Sequence, residues 1–468
     1  MKYYLLRRIL LFIPALLVIS LLVFGLGQIM PGDPVERLAG QVEDFAGAEQ
    51  YHRHLEQYRQ TRNQMGLNLP VFYFSVLPAA VSPELREIPL ERDRERLRSL
   101  MLEIGHSEKI IEFFRISLEF SLTTAKSQRP YCPEPNQLNV LLRQLQNTSN
   151  TSDLSRLKVL LNEVHVSKEC DLKQQFDQLL SSVNGLLEIE KEGGLLRPVL
   201  YWNGTQNRYH RWISSALAGD WGRSMRDGQE VGKKIIPALK YTLILSVWSI
   251  LLTFLIGIPL GMFLAVTEKK QLKRLIRNLL YALYAMPLFW MATMAIVFFT
   301  TNEYGSWTNI FPSSTQIMIQ TTTGHWFSFG TLSYLLLPVL CMAFSGAAFV
   351  ARQMEESALR EKYKAYLSMS ALKGNSNLRT IFKHWFPNAI FPLITLSAAV
   401  LPSLISGSVV IEVIFNIPGM GRLLWDSIFA QDWNTLMAIL LLGGVLTMFG
   451  QLLADIFYKK ADPRVKYD

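Results

Sequence analysis

The sequence lacks a complete nucleotide-binding loop. The nearest match, Gly228 to Lys234, has three residues rather than four between its glycines, and no Ser or Thr follows the lysine. The motifs of zinc proteases and the nucleophile elbow are also missing, so nothing indicates an enzyme. His52 and His54 are a two-ligand fragment, which predicts no metal site. We therefore predict a chain that is not an enzyme and binds no cofactor itself.

Cysteine is scarce, with three residues in 468. Cys341 falls in an apolar run and is most simply a small buried hydrophobic residue. Cys132 and Cys170 lie in a long polar region. They could form one disulfide if that region faces an oxidising compartment, or remain two free thiols, because spacing alone does not determine disulfide geometry.

The composition indicates a membrane part and a polar part. Half of the residues are hydrophobic and 18% are charged, which is too apolar for a plain soluble domain and too charged for a pure membrane bundle. Residues 33–230 hold 24 Lys and Arg against 27 Asp and Glu, whereas the remaining residues hold 23 against 11. The basic excess thus belongs to the membrane part, where positive loops orient helices, and does not indicate a nucleic-acid surface.

Six apolar runs predict an all-α membrane protein with six transmembrane helices. Strongly basic short segments fall on one side of this arrangement, which places both termini in the cytoplasm. The predicted spans are Ile9–Met30, Tyr241–Val266, Leu279–Thr300 with a break or kink at Met286-Pro287, Leu332–Val350, Ile390–Ile411 and Leu436–Tyr458.

These spans divide the chain into an N-terminal transmembrane helix (1–32), a polar insertion (33–230) and a five-helix core (231–468). The insertion would then lie on the outer side of the membrane. Apolar residues at helical spacing between Leu85 and Phe120 and between Leu138 and Leu187 predict that it is mainly helical.

The segment from Arg352 to Asn388 carries seven basic and three acidic residues between two apolar runs. We interpret it as a cytoplasmic helix, a short loop and a second helix, with Gly374 at the position that follows a helix end. Taken alone, such a segment fits an ordinary solvated loop as well as a docking surface.

Two carboxylates lie near predicted membrane boundaries. Asp455 is either a functional ionisable group within the last span or a residue paired with Lys459 and Lys460 at the interface. Glu412 either lines a polar route or is an ordinary interfacial residue.

The membrane part resembles the permease subunits of peptide-type ABC importers, the dipeptide/oligopeptide/nickel permease family, in its first-permease type. The resemblance covers residues 1 to about 40 and 215–468. It is carried by Leu6-Arg7-Arg8-Ile9, Met30-Pro31-Gly32-Asp33-Pro34, Gly219 to Ser224, Ile258-Pro259-Leu260-Gly261, Ala371-Leu372-Lys373-Gly374, Phe415 to Leu423 and Asp462-Pro463-Arg464.

This resemblance implies a permease that forms the translocation pathway for peptides or a similar small solute in a bacterial inner membrane. It implies a second permease subunit, two ABC ATPases that use ATP and Mg²⁺, and a periplasmic solute-binding protein as partners. Segment 351–388 would then be the coupling element that contacts an ATPase, through Tyr366, Ser370, Ala371, Leu372, Lys373, Gly374 and Asn375. Candidates for the translocation pathway are Met286, Pro287, Glu412 and Asn416.

The sequence departs from the family pattern at two places. The family's Glu-Ala-Ala triplet falls on Ser368-Met369-Ser370, and the loop after the first span is much longer than usual, which indicates an enlarged periplasmic insertion. A rival hypothesis from another class is a membrane sensor or scaffold, whose outer module binds a ligand without transport.

Overall fold

The computed structural model describes residues 2–29, 48–126, 135–164, 172–189, 196–305, 307–312, 329–393 and 409–461, together with residues 35, 166 and 170. The chain forms two compact units. We call residues 1–29 with 218–468 the membrane unit and residues 30–217 the inserted unit. The sequence placed the end of the insertion at 230, whereas residues 218–230 cluster with the membrane unit.

The membrane unit begins with helix α1 (Lys2–Ile29), which contains Pro14. Most of its apolar side chains are exposed in the protein alone, as expected for a helix whose surroundings are lipid rather than water. Its stretch Leu6–Ile29 is long and apolar enough to cross a membrane.

The inserted unit is mainly helical in its described residues. Its elements are α2 (Ala48–Gln64), β1 (Phe74–Pro78), a short 3-10 helix (Pro83–Glu87), α3 (Glu91–Ile104), α4 (Ser107–Lys126), α5 (Pro135–Gln146), α6 (Thr151–Glu163), α7 (Lys173–Leu187), β2 (Pro198–Trp202) and α8 (Arg208–Leu217).

The core of the inserted unit is a set of leucines and phenylalanines spaced as the sequence predicted. Leu100, Phe113, Phe120, Leu142 and Leu179 are almost completely buried in one cluster shared by α3 to α7. Gly105 has a φ of +83° and ends α3, so that the chain turns into α4 instead of continuing as one helix. Cys170 is buried and disulfide-bonded, but Cys132 lies outside the described residues, so their pairing stays a prediction.

Strands β1 and β2 form an antiparallel pair that the sequence analysis did not anticipate. Phe74 lies opposite Trp202 and Val76 lies opposite Leu200. Because side chains alternate across a strand, these four share one face, and all four are largely exposed, Trp202 to 76%.

The rest of the membrane unit is helical in its described residues. Its helices are α9 (Val231–Val266), α10 (Lys270–Ala285), α11 (Leu288–Phe299), α12 (Phe329–Lys362), α13 (Ala365–Leu372), α14 (Asn377–Thr380), α15 (Phe386–Ala389), α16 (Val409–Ile414), α17 (Met420–Phe429) and α18 (Trp433–Ala461), with a π-helical turn (Ile381–Trp385) before α15.

The predicted break at Met286-Pro287 is confirmed and is far sharper than a kink. Helices α10 and α11 meet there at 98°. Pro287 has an extended backbone with ψ of 135°, and it is the residue before α11. Helix α11 has 12 residues, about 18 Å of rise, which is less than the roughly 30 Å of a bilayer core. The predicted span Leu279–Thr300 is therefore not one straight helix.

Two predicted spans are longer as helices than the sequence indicated. Helix α9 begins at Val231 rather than Tyr241, so the residues just before the predicted span belong to the same helix. Helix α12 passes Val350 and continues to Lys362. The first helix of the predicted coupling segment is therefore the end of a membrane helix, which joins the two directly.

Helices α1 and α18 pack against each other, and a salt bridge joins them. Arg8 Nη1 lies 2.7 Å from Asp455 Oδ2. The sequence analysis proposed Lys459 and Lys460 as partners of Asp455, and the side chains of both lysines lie outside the described residues. Arg8, from the other end of the chain, is a partner that the sequence analysis did not name. The first turns of α1 and the last turns of α18 are therefore side by side.

By length and composition, four described helices can cross a membrane, or five if α10 and α11 together make one crossing. They correspond to the first, second, fourth and sixth predicted spans, with the bent pair as the third. Most of the fifth, Ile390–Ile411, lies outside the described residues.

Candidate functional site

Helix α13 and the turn after it hold the predicted coupling residues. Leu372 ends the helix and Gly374 follows with a φ of +74°. The N–H of Asn375 then donates to the carbonyl of Ser370 at 3.4 Å, which is the closing bond of a Schellman motif. Gly374 thus occupies the predicted position after the helix end. A Cβ there would have no atom within 4 Å.

Side-chain hydrogen bonds fix the turn to the next helix. Ser370 is buried. Its Oγ accepts from Asn375 Nδ2 at 3.1 Å and lies 3.0 Å from Thr380 Oγ1. Ser376 caps α14 through the N–H of Arg379. The turn is therefore held in a defined shape although its outer surface is open.

Tyr366 anchors the start of α13 to the end of α12. Its hydroxyl donates to Glu361 Oε2 at 2.7 Å, and Lys364 Nζ lies 2.6 Å from Glu361 Oε1. Burial and the adjacent Glu361 carboxylate raise the pKa of Tyr366 to about 12. The hydroxyl therefore stays protonated and keeps donating across the cellular pH range.

The outer surface of the predicted coupling segment is apolar and basic. Lys373 is exposed and Leu372 is exposed to 84%. The structure adds exposed apolar residues that sequence reasoning missed, namely Tyr363, Met369, Leu378 and Phe382. A signal was available, because so many large apolar residues in a short polar segment cannot all be buried. Of Ala371, the structure describes only the backbone.

Two buried hydrogen bonds tie the segment's far end back to α12. Trp385 Nε1 donates to the carbonyl of Ala358 at 2.8 Å, and Ser357 Oγ donates to the carbonyl of Ala389 at 2.6 Å. Leu367 of α13 shares a buried apolar cluster with these residues. Both ends of the segment are thus attached to the membrane helix from which it emerges.

The π-helical turn lies between α14 and α15. The N–H of Phe386 donates to the carbonyl of Ile381, five residues back. Pro387 follows and has no N–H to donate to Lys383, which favours a local departure from α-helical bonding.

The four candidate pathway residues fall at two places. Met286 and Pro287 form the corner between α10 and α11. Glu412 lies in α16, and Asn416 lies in the loop after it with a φ of +55°. Apolar residues of α11 and of the α16 region share one buried cluster, so the two places belong to neighbouring parts of the unit.

Glu412 is completely buried and fully bonded. Oε1 accepts from Thr242 Oγ1 at 2.8 Å and Oε2 accepts from the N–H of Arg422 at 2.9 Å. The N–H of Gly421 also donates to this carboxylate, and Thr242 Oγ1 accepts from the N–H of Met420 at 2.8 Å. A carboxylate and a hydroxyl together thus satisfy the first three N–H groups of α17.

Two glycines make that arrangement sterically possible. A Cβ on Gly419 would lie 2.5 Å from the Glu412 carboxyl carbon, and one on Gly421 would lie 2.8 Å from the Val409 Cα. The carbonyl of Asn416 accepts from Arg422 Nη1 at 3.0 Å. The loop Phe415 to Arg422 is therefore folded around a carboxylate that is not open to solvent.

A second buried carboxylate holds the segment before α9. Asp432 accepts hydrogen bonds from Ser224 Oγ, from the N–H of Met225 at 2.9 Å and from Thr435 Oγ1 at 2.7 Å. Lys234 Nζ bonds both Ser224 Oγ and Asp227 Oδ2 at 2.9 Å. Burial would raise the pKa of Asp227, but the bonds from Lys234 and the N–H of Gln229 outweigh it and lower that pKa.

In the described part of the chain, no group of three His, Cys, Asp or Glu residues could hold a metal ion. Cys341 is a buried free thiol. Neither feature suggests a cofactor site.

Comparison with known proteins places the membrane unit in a family. Residues 257–467 match the model of the binding-protein-dependent transport system inner membrane component. The oligopeptide transport system permease protein AppB of Bacillus subtilis is 32% identical over 261 residues, which is 56% of this chain and 80% of that protein. The oligopeptide transport system permease protein OppB of Mycobacterium bovis is 28% identical over 277 residues, which is 58% of this chain and 82% of that protein.

These relatives are permeases, and they give no support to the sensor or scaffold hypothesis. The family match lies wholly within the membrane unit, which contains the Gly374 turn and the Glu412 loop. The chain belongs to the family of inner membrane components of binding-protein-dependent transport systems, among the permease subunits of peptide ABC transporters.

Proposed function

We propose that this permease imports peptides or similar small solutes across a bacterial inner membrane, driven by ATP hydrolysis in separate partner subunits. The peptide substrate is proposed from the names of the relatives, which are peptide and oligopeptide transport permeases. The chain itself binds neither ATP nor Mg²⁺ in this proposal, because its sequence carries no complete nucleotide-binding loop.

We propose six spans with both termini in the cytoplasm. The Arg8–Asp455 salt bridge supports it, since it requires the start of α1 and the end of α18 to share a side. The packing of α10 and α11 supports the proposal that these two helices together make the third crossing. Leu280 of α10 packs near Ala348 and Ala351 of α12, whereas α11 packs near Leu335 to Cys341, toward the other end of α12.

The observation that carries the ATP-coupled function is the surface around Gly374. It is apolar and basic, and no Asp or Glu occurs between residues 362 and 411. Both of its ends are bonded to α12 or packed on it. An ATPase bound to this surface would therefore contact a segment that is attached directly to a membrane helix. A conformational change in the ATPase could then reorient the permease through α12.

Gly374 gives the sharpest test of this coupling. We expect Gly374→Glu to reduce uptake about tenfold or more, because a bulky carboxylate on a basic docking surface costs several kcal/mol of association. Folding should survive, since the position is open and the only local cost is the backbone conformation. Uptake into proteoliposomes containing the whole complex, together with copurification of the ATPase, measures the effect.

The matched control is Gly374→Asn. Asparagine tolerates the left-handed conformation better than most residues and adds no charge, so this variant should keep most of the uptake. Normal uptake by Gly374→Glu would contradict the coupling role, and equal loss in both variants would show that side-chain size rather than charge matters.

We further propose that the inserted unit lies in the periplasm and docks the solute-binding protein or the second permease subunit. The exposed face of the β1–β2 pair supports this, because a contiguous apolar surface with aromatic residues is typical of interaction sites. Its residues are Phe74, Val76, Leu200 and Trp202.

The proposed docking role of the β1–β2 face predicts the effect of a double substitution. Phe74→Ser with Trp202→Ser should weaken recovery of the docked partner about tenfold, as expected when aromatic anchors are lost. Val140→Ser with Val159→Ser, two exposed valines on helices of the same unit, is the control and should change little. Unchanged assembly and uptake after deletion of residues 45–195 would refute the docking role.

A further inference from the structure

A cleft between α10 and α12 is lined by none of the individual residues named as candidates for ATPase coupling or for the translocation pathway. It has a volume of about 90 Å³ and is lined by Arg277, Tyr281, Tyr284, Phe349, Arg352 and Glu355, among others. This is room for a group several times larger than a water molecule, which needs roughly 15 Å³ by the same measure. The lining combines guanidinium groups, phenolic hydroxyls and apolar surface.

Charge in the cleft favours an anion. Glu355 is buried, but both Arg277 Nη2 at 2.7 Å and Lys273 Nζ at 3.1 Å already neutralise it. Arg352 uses only Nε for its bond to Glu356, which leaves its two terminal nitrogens with donors to offer. A guanidinium fork of this kind matches the oxygen atoms of a phosphate.

Arg352 is exposed, and the Tyr281 ring restricts the position of its guanidinium group. Its side chain is 58% exposed, and its guanidinium carbon lies 6.0 Å from the centre of the Tyr281 ring. Such a contact with an aromatic face restricts the guanidinium without consuming its N–H groups. The donors are thus held at the mouth of the cleft.

Helix α10 supplies the features of a helix that lies on a membrane surface. Five of the nine residues from Lys269 to Arg277 are basic, and Leu275 and Leu279 are largely exposed, Leu275 to 68%. Because α10 and α11 meet at 98°, α10 runs almost perpendicular to α11. The basic first half of α10, with exposed leucines beside it, is therefore suited to the headgroup region of a bilayer.

From these observations we infer that the cleft between α10 and α12 binds the phosphate of an anionic phospholipid, whose acyl chains lie along the exposed leucines of α10. The inference uses the proposed topology, in which this end of α12 faces the cytoplasm. Basic pockets between membrane helices on that side are suited to anionic headgroups. A free phosphate ion would fit the arginines but would leave the leucines without a role.

The experiment uses the full-length chain purified in detergent and supplied with phosphatidylglycerol, phosphatidylcholine or inorganic phosphate. Native mass spectrometry measures the lipid retained, and the midpoint of thermal unfolding measures protection. We expect retention and protection with phosphatidylglycerol alone. Equal protection by phosphatidylcholine would refute a headgroup site, and equal protection by inorganic phosphate would refute the lipid as its source.

Substitutions locate the site. Arg352→Gln should raise the phosphatidylglycerol concentration needed for half-retention about tenfold, the value of a lost hydrogen bond to a charged group. Arg274→Gln is the control, because it also removes one positive charge, but from an exposed position in α10 that does not line the cleft. It should raise the phosphatidylglycerol concentration for half-retention by less than about fivefold.

Equal losses in these two variants would mean a diffuse charge effect and would overturn the site. Tyr281→Leu, which removes the ring that positions Arg352, should weaken retention as well. If the cleft variants instead lose the second permease while retaining the lipid, the surface is a protein interface and the proposal fails.

Discussion

Gly261→Ala is expected to destabilise this protein by about 3 kcal/mol, the upper part of the range for overpacked cores. The added Cβ would lie 2.3 Å from the carbonyl oxygen of Ala351 and 2.6 Å from the Cβ of Met354. The first of these contacts is to backbone, so a side-chain rotation cannot relieve it. Helices α9 and α12 would have to separate.

A second glycine makes the same contact one turn earlier. A Cβ on Gly257 would lie 2.8 Å from Val350 Cβ and 3.0 Å from the carbonyl of Ala347. Glycines four residues apart allow membrane helices to approach closely, where dispersion contacts replace the absent hydrophobic driving force. Since α12 also carries the coupling segment, this contact connects the coupling surface to the rest of the bundle.

The control for Gly261 is Gly443→Ala in α18. No atom lies within 4 Å of a Cβ at that position, and alanine is the better helix former, so the variant should be neutral or slightly stabilised. Yield in membranes and the midpoint of thermal unfolding of the purified chain give the comparison. Equal stability of the two variants would mean that α9 and α12 do not pack as closely as the distances around Gly261 and Gly257 require.

Local chemistry made part of this structure predictable. Runs of apolar residues located the helices that can cross a membrane, because hydropathy over about 20 residues is a local property. The position of Gly374 after a helix end is predictable for the same reason, since a left-handed position favours glycine in any context. The helices of the inserted unit followed from apolar spacing.

Features that depend on residues distant in sequence were not predictable. Nothing near Met286 specifies an angle of 98°, because a proline shows where a helix stops and not the direction of the next one. Arg8, which forms a salt bridge with Asp455, is 447 residues away from it in the sequence. Strands β1 and β2 pair residues more than 100 positions apart, and each is too short for a clear alternating pattern.

The role of Glu412 shows the same limit most clearly. As a lone carboxylate near a predicted membrane boundary it is a candidate for the pathway. In the structure it is buried and accepts from Thr242, 170 residues earlier in the chain. The motif Asn416 to Arg422 therefore has a structural explanation, since its glycines admit this carboxylate to the N-terminus of α17.

Removing the Glu412 carboxylate should lower the stability of the fold about as much as the Gly261→Ala substitution. Glu412→Ala leaves the N–H groups of Gly421 and Arg422 and the hydroxyl of Thr242 without their acceptor. A buried unsatisfied group costs about 1–3 kcal/mol, so the total loss should be about 3 kcal/mol or more. Glu230→Ala is the control, because that carboxylate is exposed and bonds only Lys233 among the described contacts, a pair of small value.

Glu412→Gln separates a structural role from a role in the pathway. The amide can still accept from Thr242, but its NH₂ faces the N–H groups that the second carboxylate oxygen now satisfies. If the carboxylate holds the loop, Gln and Ala both lower the unfolding midpoint, and transport per folded molecule changes little. If it instead lines the route of the solute, Gln keeps normal stability and alters uptake, which would contradict the structural role that burial and bonding assign to it.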